Sequence, residues 1–156
     1  MTDEDKKARI DRELGELLEE VRVALPGAEI LFAFLLGVAF TGRFETITSS
    51  QRNLYFAALL LTAGATALLI APATYHRLRF RDGDKERLLF SATRMAIWSF
   101  VLMLLAICSS VYLVADILYA STTAGLVGAG TAAWFAWFWF GLPMSRRLRS
   151  LDRSTG

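Results

Sequence analysis

Four long apolar blocks, separated by short polar connections, set the pattern along the chain; they run from about residue 23 to 44, 54 to 75, 88 to 115 and 122 to 144. The hydrocarbon layer of a bilayer is roughly 30 Å thick, and an α-helix crosses it with about 20 residues. A segment exposed to lipid must also satisfy its own backbone hydrogen bonds. Each block is therefore predicted to be a transmembrane helix, and together they predict an all-α, four-helix transmembrane bundle over residues 23–144.

The segment before the first block, residues 1–22, has the pattern of a cytoplasmic amphipathic helix. Its apolar positions are spaced 4, 3 and 4 residues apart, as in a short coiled-coil seam: Ile10, Leu14, Leu17 and Val21. This seam predicts an interface with a partner or a second subunit, or equally a helix packed on its own membrane domain. Pro26 and Gly27 follow, and because proline fixes φ and lacks an amide donor, a bend or a fresh helix start is expected there.

Lys and Arg residues are concentrated on one side of the predicted spans. Fifteen of the 17 lie before span one, between spans two and three or just inside span three, or in the tail of residues 145–156. Only Arg43 and Arg52 belong to the connection between spans one and two. Cytoplasmic connections carry the excess of basic residues, so both termini are predicted to be cytoplasmic, in a bacterial cytoplasmic membrane. The connection after span two is also a candidate site for anionic lipid, at Arg77, Arg79 and Arg81.

Composition agrees with a membrane protein and argues against an enzyme. Apolar residues make up 54% of the chain and the mean hydropathy is +0.41, which is typical of proteins with long membrane-spanning blocks. The single cysteine, Cys108, lies in predicted span three and leaves no intrachain disulfide. The sequence shows no metal-ligand spacing, phosphate-binding glycine loop or nucleophile with its base. We therefore expect no enzymatic activity, no cofactor, no bound metal and no nucleic-acid partner.

Ionisable residues inside a span are costly, about 2.5–3.5 kcal/mol each at the bilayer centre on insertion scales, so each is a functional candidate. Glu29 and Arg94 each lie about two turns inside the cytoplasmic ends of spans one and three, and His76 lies at the inner end of span two. Equal distances from the same membrane face predict similar depths for Glu29 and Arg94. Two arrangements compete: a Glu29–Arg94 ion pair, or an unpaired Glu29 that binds a proton.

The predicted outer side has a second set of charges. Asp116 ends span three, while Arg43 ends span one and Arg52 precedes span two, so the same depth argument predicts an outer cluster. Thr62 and Thr66 lie one turn apart on span two and either line an aqueous crevice or bond neighbouring helices. Each set of charges either holds the helices together through ion pairs or lines a route for protons or cations.

The fourth span divides into a small-residue half and an aromatic half. Gly125, Gly128 and Ala132 belong to a series of small residues four apart, which permits close contact within the bundle or between subunits. Residues 134–140 read Trp-Phe-Ala-Trp-Phe-Trp-Phe and are interpreted as an aromatic belt at the inner membrane interface.

Three runs of the sequence carry a resemblance: residues 16–23 (ELLEEVRV), 27–36 (GAEILFAFLL) and 71–77 (APATYHR). With these runs the chain resembles an uncharacterised family of small actinobacterial membrane proteins, some of which carry an automatic sodium:proton antiporter label. The likeness covers roughly residues 12 to 118. Because the family has no established function, the resemblance implies membership rather than a particular activity.

Two functional hypotheses follow from these observations. The first is a homo-oligomer that permits ion or proton passage, because four short helices with few charges leave little space for a pathway inside one subunit. The second is a non-conducting structural or regulatory membrane protein that binds a partner through its N-terminal helix. That segment carries five basic and eight acidic residues between positions 3 and 22, so an anionic inner leaflet would repel it.

Overall fold

The computed structural model describes residues 3–78, 85–119 and 121–141, and no strand occurs within these segments. Four α-helices follow one another along the chain: α1 (Asp3–Val38), α2 (Ser49–Leu78), α3 (Lys85–Leu118) and α4 (Ser121–Ala136). A 3₁₀ turn, Gly42–Thr46, joins α1 to α2, and a π-helical turn, Trp137–Gly141, continues α4. The basic tail of residues 145–156 lies outside the described residues.

Three of the helices are long and apolar enough to cross a membrane: Glu4–Val38 in α1, Ser49–Thr74 in α2 and Leu89–Leu118 in α3. The prediction of an all-helical membrane protein is confirmed in this form. The fourth helix, α4, has 16 residues, which is shorter than the roughly 20 that a full crossing needs. A fourth crossing therefore stays a prediction.

The first helix is continuous across the junction where the sequence predicts a new helix. α1 runs for 36 residues with Pro26 inside it, so the prediction of a fresh helix start at Pro26 is wrong. Proline removes one intrahelical hydrogen bond, a local cost that packing on either side can offset. Val21 and Ala28 flank Pro26 and are both buried in the same apolar cluster, while Pro26 itself is exposed.

A single buried stripe, here called the α1 seam, extends along α1 from Ile10 to Leu35. Its positions alternate in spacing between 3 and 4 residues, which is the heptad pattern of a coiled coil. The seam consists of buried Ile10, Leu14, Val21, Ala28 and Leu35, with half-buried Leu17, Ala24 and Leu31 between them. The apolar face of residues 1–22 is thus the first part of a longer seam that packs within its own chain.

Small side chains bring α2 and α3 close together. Many of the buried positions of the two helices carry small side chains: Ala58, Thr62 and Ala65 on α2, and Ala92, Ala96, Ser99, Ala106 and Ala115 on α3. A Cβ on Gly64 would lie only 3.2 Å from the Leu102 side chain. Small residues allow this approach of backbones, and α2 and α3 form the most extensive helix pair in the fold.

The fourth helix lies against α3, on the flank of the other helices. α4 packs on α3, and within the described segments it makes no extensive contact with α1 or α2. Ala124 is fully buried, and a Cβ on Gly128 would lie 3.1 Å from the Tyr112 ring. The arrangement is therefore a three-helix bundle of α1, α2 and α3 with α4 on its flank, rather than four helices closed around one core.

Gly128→Leu should separate α4 from α3, because the new side chain would occupy the space of the Tyr112 ring. Overpacking of this kind costs about 1–3 kcal/mol, and we expect a lower thermal midpoint for the purified protein in detergent. Gly125→Leu is the matched control, since no atom lies within 4 Å of a Cβ at that position. Equal midpoints for the two variants would contradict the packing of α4 on α3.

Candidate functional site

Contacts between the helices establish which residues lie at the same height along the bundle. At the predicted outer end, the Gln51 amide of α2 donates to the Asp116 carboxylate of α3, with 2.8 Å between Nε2 and Oδ2. Nearer the other end, Phe100 of α3 lines one groove with Glu16, Glu19, Glu20 and Val23 of α1. Val21 and Ala96 share one apolar cluster, and Leu35 and Leu113 share the next. α1 and α3 therefore run parallel, and Phe100 lies level with the acidic part of α1.

The predicted Glu29–Arg94 ion pair is not formed, because the two residues lie at different heights. Glu29 is six residues further out than Val23, and Arg94 is six residues further in than Phe100, which separates them by about 15–20 Å along the axis. Both side chains are exposed. The assumption of equal depth fails because the N-terminal part of α3 extends beyond the height at which span one was predicted to begin.

Each inner candidate has its own surroundings. The Arg94 guanidinium lies 5.8 Å from the centre of the Phe90 ring, a cation–π contact, beside a shallow groove that includes Leu68 of α2. The described part of the chain supplies no side-chain partner to Glu29. His76 and Arg77 belong to α2, but their side chains, like residues Arg79 and Arg81, lie outside what the structure describes.

At the predicted outer end an amide takes the place expected for an arginine. The side-chain Oε1 of Gln51 accepts a hydrogen bond from the backbone N–H of Thr48 (3.0 Å), and the backbone N–H of Gln51 donates to Thr48 Oγ1 (3.3 Å). This reciprocal capping box fixes the Gln51 side chain so that Nε2 reaches Asp116. Arg52 is exposed, and the side chain of Arg43 lies outside what the structure describes. The Thr-x-x-Gln spacing was the sequence signal that could have identified Gln51.

The two candidate threonines are bonded to their own helix. The Thr62 hydroxyl, which is 0% exposed, donates to the Ala58 carbonyl at 2.8 Å, and the Thr66 hydroxyl donates to the Thr62 carbonyl at 3.0 Å. Ser99 in α3 likewise donates to the Ala96 carbonyl at 2.7 Å. No buried side-chain polar atom lacks a partner in the described segments. These hydroxyls fill the α2–α3 contact, and the described core of one subunit contains no polar route.

The predicted interface residues divide between buried and exposed positions. Ile10, Leu14 and Val21 are buried within the chain and Leu17 packs against the same cluster, in agreement with the alternative of a helix packed on its own domain. On α4, Gly128 contacts α3, Ala132 is half-buried and Gly125 faces open space. Of these seven positions, Gly125 alone is exposed.

The surface of α1 beside its seam is acidic and exposed. It carries four glutamates, here called the acidic face: Glu13, Glu16, Glu19 and Glu20. Arg9 approaches Glu13 (Nε–Oε1, 3.4 Å) one turn earlier. Three of the glutamates line the acidic groove, a surface depression of about 610 Å³ between α1 and α3. Among the described residues, its other lining side chains are Val23 and Phe100. Acidic side chains thus border an apolar floor, a combination suited to a basic amphipathic segment.

The aromatic end of α4 meets this groove from the other side. Trp139 packs edge-on against Phe100 with 5.7 Å between ring centres, and against Phe135 with 5.2 Å. Because Gly128 contacts Tyr112 and Trp139 contacts Phe100, α4 runs antiparallel to α3. The π-helical turn therefore ends, at Gly141, close to the acidic groove.

Comparison with known proteins gives one family. A family of unknown function (DUF6328) matches residues 3–143. No curated protein and no solved structure matches the chain.

Proposed function

Since this chain belongs to the DUF6328 family, whose function is unknown, we propose from its own geometry that it is a non-conducting membrane protein that binds a basic cytoplasmic partner through α1. One observation carries this proposal: α1 buries an unbroken seam from Ile10 to Leu35 and exposes acidic side chains on the face beside it. A helix held along its whole length presents these side chains at fixed positions, so little conformational entropy is lost when a partner binds.

The proposal includes four membrane crossings with both ends in the cytoplasm. α4 and the π-helical turn together contain residues 121–141, which at 1.5 Å per residue approach the roughly 30 Å of the hydrocarbon layer. Trp and Tyr concentrate at membrane interfaces, so Trp139 supports an inner boundary at the height of Phe100 and Val23. α1 before Val23 and α3 before Phe100 would then extend from the membrane as a helical stalk.

The chemistry of the acidic groove defines the class of partner. Exposed ion pairs are each worth only about 0–1 kcal/mol, so several must act together with apolar contact. Val23, which is 77% exposed, and Phe100 supply apolar surface beside the carboxylates. We therefore propose a basic amphipathic helix as the partner element, with affinity that falls as the salt concentration rises.

Replacing the four glutamates of the acidic face by Gln should weaken binding of a basic probe by at least tenfold. The probe is a fluorescent synthetic helix with arginines on one face and leucines on the other, titrated against the full chain in zwitterionic nanodiscs. Glu4→Gln with Glu45→Gln is the control, because both carboxylates are exposed and neither lines the groove. Equal affinity for the wild type and the four-Gln variant would overturn the proposal.

Ion or proton passage through a homo-oligomer is the second candidate function. The position of Glu29 is the observation in its favour. Glu29 is exposed within the first span and has no described partner, although a charge facing lipid is costly. A second subunit covering this face of α1 would remove the side chain from lipid. The route would then run between subunits, past Glu29, because the described core of one subunit is packed with apolar side chains.

A flux measurement separates the two candidates. We expect the purified chain in liposomes to dissipate a pH or cation gradient no faster than empty liposomes do. A gradient that decays with the wild type, decays with the Glu45→Gln control and persists with Glu29→Gln would instead establish passage through Glu29.

A further inference from the structure

We propose that the basic tail of this chain, residues 145–156, docks in the acidic groove of the same subunit and competes there with the external partner. The proposal rests on the proposed function in so far as the groove must bind a basic segment. In addition, the tail would occupy the groove and inhibit binding of the external partner. Three observations support this proposal: the position of the π-helical turn after α4, the composition of the tail and the length of the tail.

The part of the chain that the structure describes ends beside the groove. Trp139 packs against Phe100, and Phe100 is itself part of the groove lining together with Val23 and the glutamates. Gly141, two residues after Trp139, is the last described residue. Because α4 runs antiparallel to α3, Gly141 lies toward the Val23 end of the groove.

The tail has the composition that complements the groove. It carries four arginines and one aspartate: Arg146, Arg147, Arg149, Arg153 and Asp152. Met144, Leu148 and Leu151 are spaced 4 and 3 residues apart, which predicts one apolar stripe on a basic helix. The stripe matches the apolar floor of the groove, and the arginines match its glutamates.

Length and tethering both favour docking within one subunit. An extended chain spans about 3.3 Å per residue, so the five residues from 142 to 146 reach roughly 15 Å. The groove extends from Val23 to Glu16, about 10 Å along α1. A tethered segment on a short linker has an effective concentration in the millimolar range, so individually weak ion pairs are sufficient to hold it.

Cysteine cross-linking of the full chain in zwitterionic nanodiscs tests this placement, in a Cys108→Ala background that removes the native thiol. Glu19→Cys with Arg149→Cys should form an intramolecular disulfide at least fivefold faster than the control pair, Arg22→Cys with Arg149→Cys. Arg22 is exposed near the same height but does not line the groove. Changing Arg146 and Arg147 to Gln should lower the faster rate to that of the control.

Truncation after Met144 gives an independent readout. Removing the tail should raise the affinity of the basic probe several-fold for the wild-type groove and leave it unchanged for the four-Gln variant. Equal cross-linking rates at positions 19 and 22, or a truncation without effect on probe affinity, would overturn tail docking. If tail docking is overturned in this way and the four-Gln variant still binds the probe more weakly than the wild type, the external partner remains supported without the tail.

Two further outcomes separate the tail from other occupants. Preferential cross-linking at position 19 without any probe binding would support tail docking and overturn the external partner. In nanodiscs that contain anionic lipid the preference for position 19 should persist. Its loss there would assign the tail to lipid head groups and overturn the proposal.

Discussion

Leu14→Asp should release the N-terminal part of α1 from the bundle. Leu14 is 5% exposed in the α1 seam; burial of a leucine contributes about 1.5–3 kcal/mol, and an unpaired carboxylate in its place adds a desolvation cost. We expect a loss of about 3–5 kcal/mol in the local free energy of opening. Hydrogen exchange of the amides in residues 8–22 should accelerate by about two orders of magnitude or more.

Gly15→Asp is the matched control for this substitution. It introduces the same side chain one residue later, at an exposed position where a Cβ meets no atom within 4 Å. Exchange in residues 8–22 should therefore remain near the wild-type rate. Similar exchange in the two variants would show that residues 8–22 do not pack through the α1 seam, and the acidic face would lose its fixed position.

Ala58→Leu should destabilise the membrane part of the bundle. Ala58 is 0% exposed and lies in one apolar cluster with Leu35 of α1, Tyr55 of α2 and Leu113 of α3. Three helices meet around this methyl group, so a larger side chain must push at least one helix away. Overpacking typically costs about 1–3 kcal/mol, and we expect the upper part of that range, measured as a lower thermal midpoint in detergent.

Ala57→Leu provides the comparison, because residue 57 is exposed on the same helix. Alanine and leucine have similar helix propensities, so the two variants differ mainly in packing. The Ala57→Leu midpoint should stay close to the wild-type value. A decrease as large as that of Ala58→Leu would indicate that the α1–α2–α3 contact at Ala58 is not as close as described.

The helices themselves were predictable from the sequence because membrane-spanning apolar length is a strong signal. The seam of residues 10–21 was also visible, but its continuation through Ala28 to Leu35 was not. Inside an apolar block nearly every residue is apolar, so the pattern does not show which face packs against protein and which faces lipid. For the same reason Gly125 and Gly128 were equivalent in the sequence, although Gly128 alone of the two contacts α3.

The heights of the charged residues were not predictable. α3 has 34 residues, more than the roughly 20 that cross the hydrocarbon layer, so its position along the membrane normal is undetermined by hydropathy. The prediction aligned the apolar ends of spans one and three, whereas packing aligns Phe100 with Val23. The Gln51–Asp116 bond was not predictable from charge for a different reason: a neutral amide does not appear in a charge pattern, although it can donate to a carboxylate.

Cysteine labelling in intact cells of a bacterial expression host tests the central claim, that four crossings place the acidic face of α1 and the basic tail on the cytoplasmic side. Thr2→Cys, Ser50→Cys and Ser154→Cys, each in the Cys108→Ala background, are treated with a membrane-impermeant maleimide. The account predicts labelling of position 50 in intact cells, and of positions 2 and 154 only after the membrane is permeabilised. Labelling of position 154 in intact cells would contradict it, because α4 would then not cross the membrane and the tail could not reach the groove.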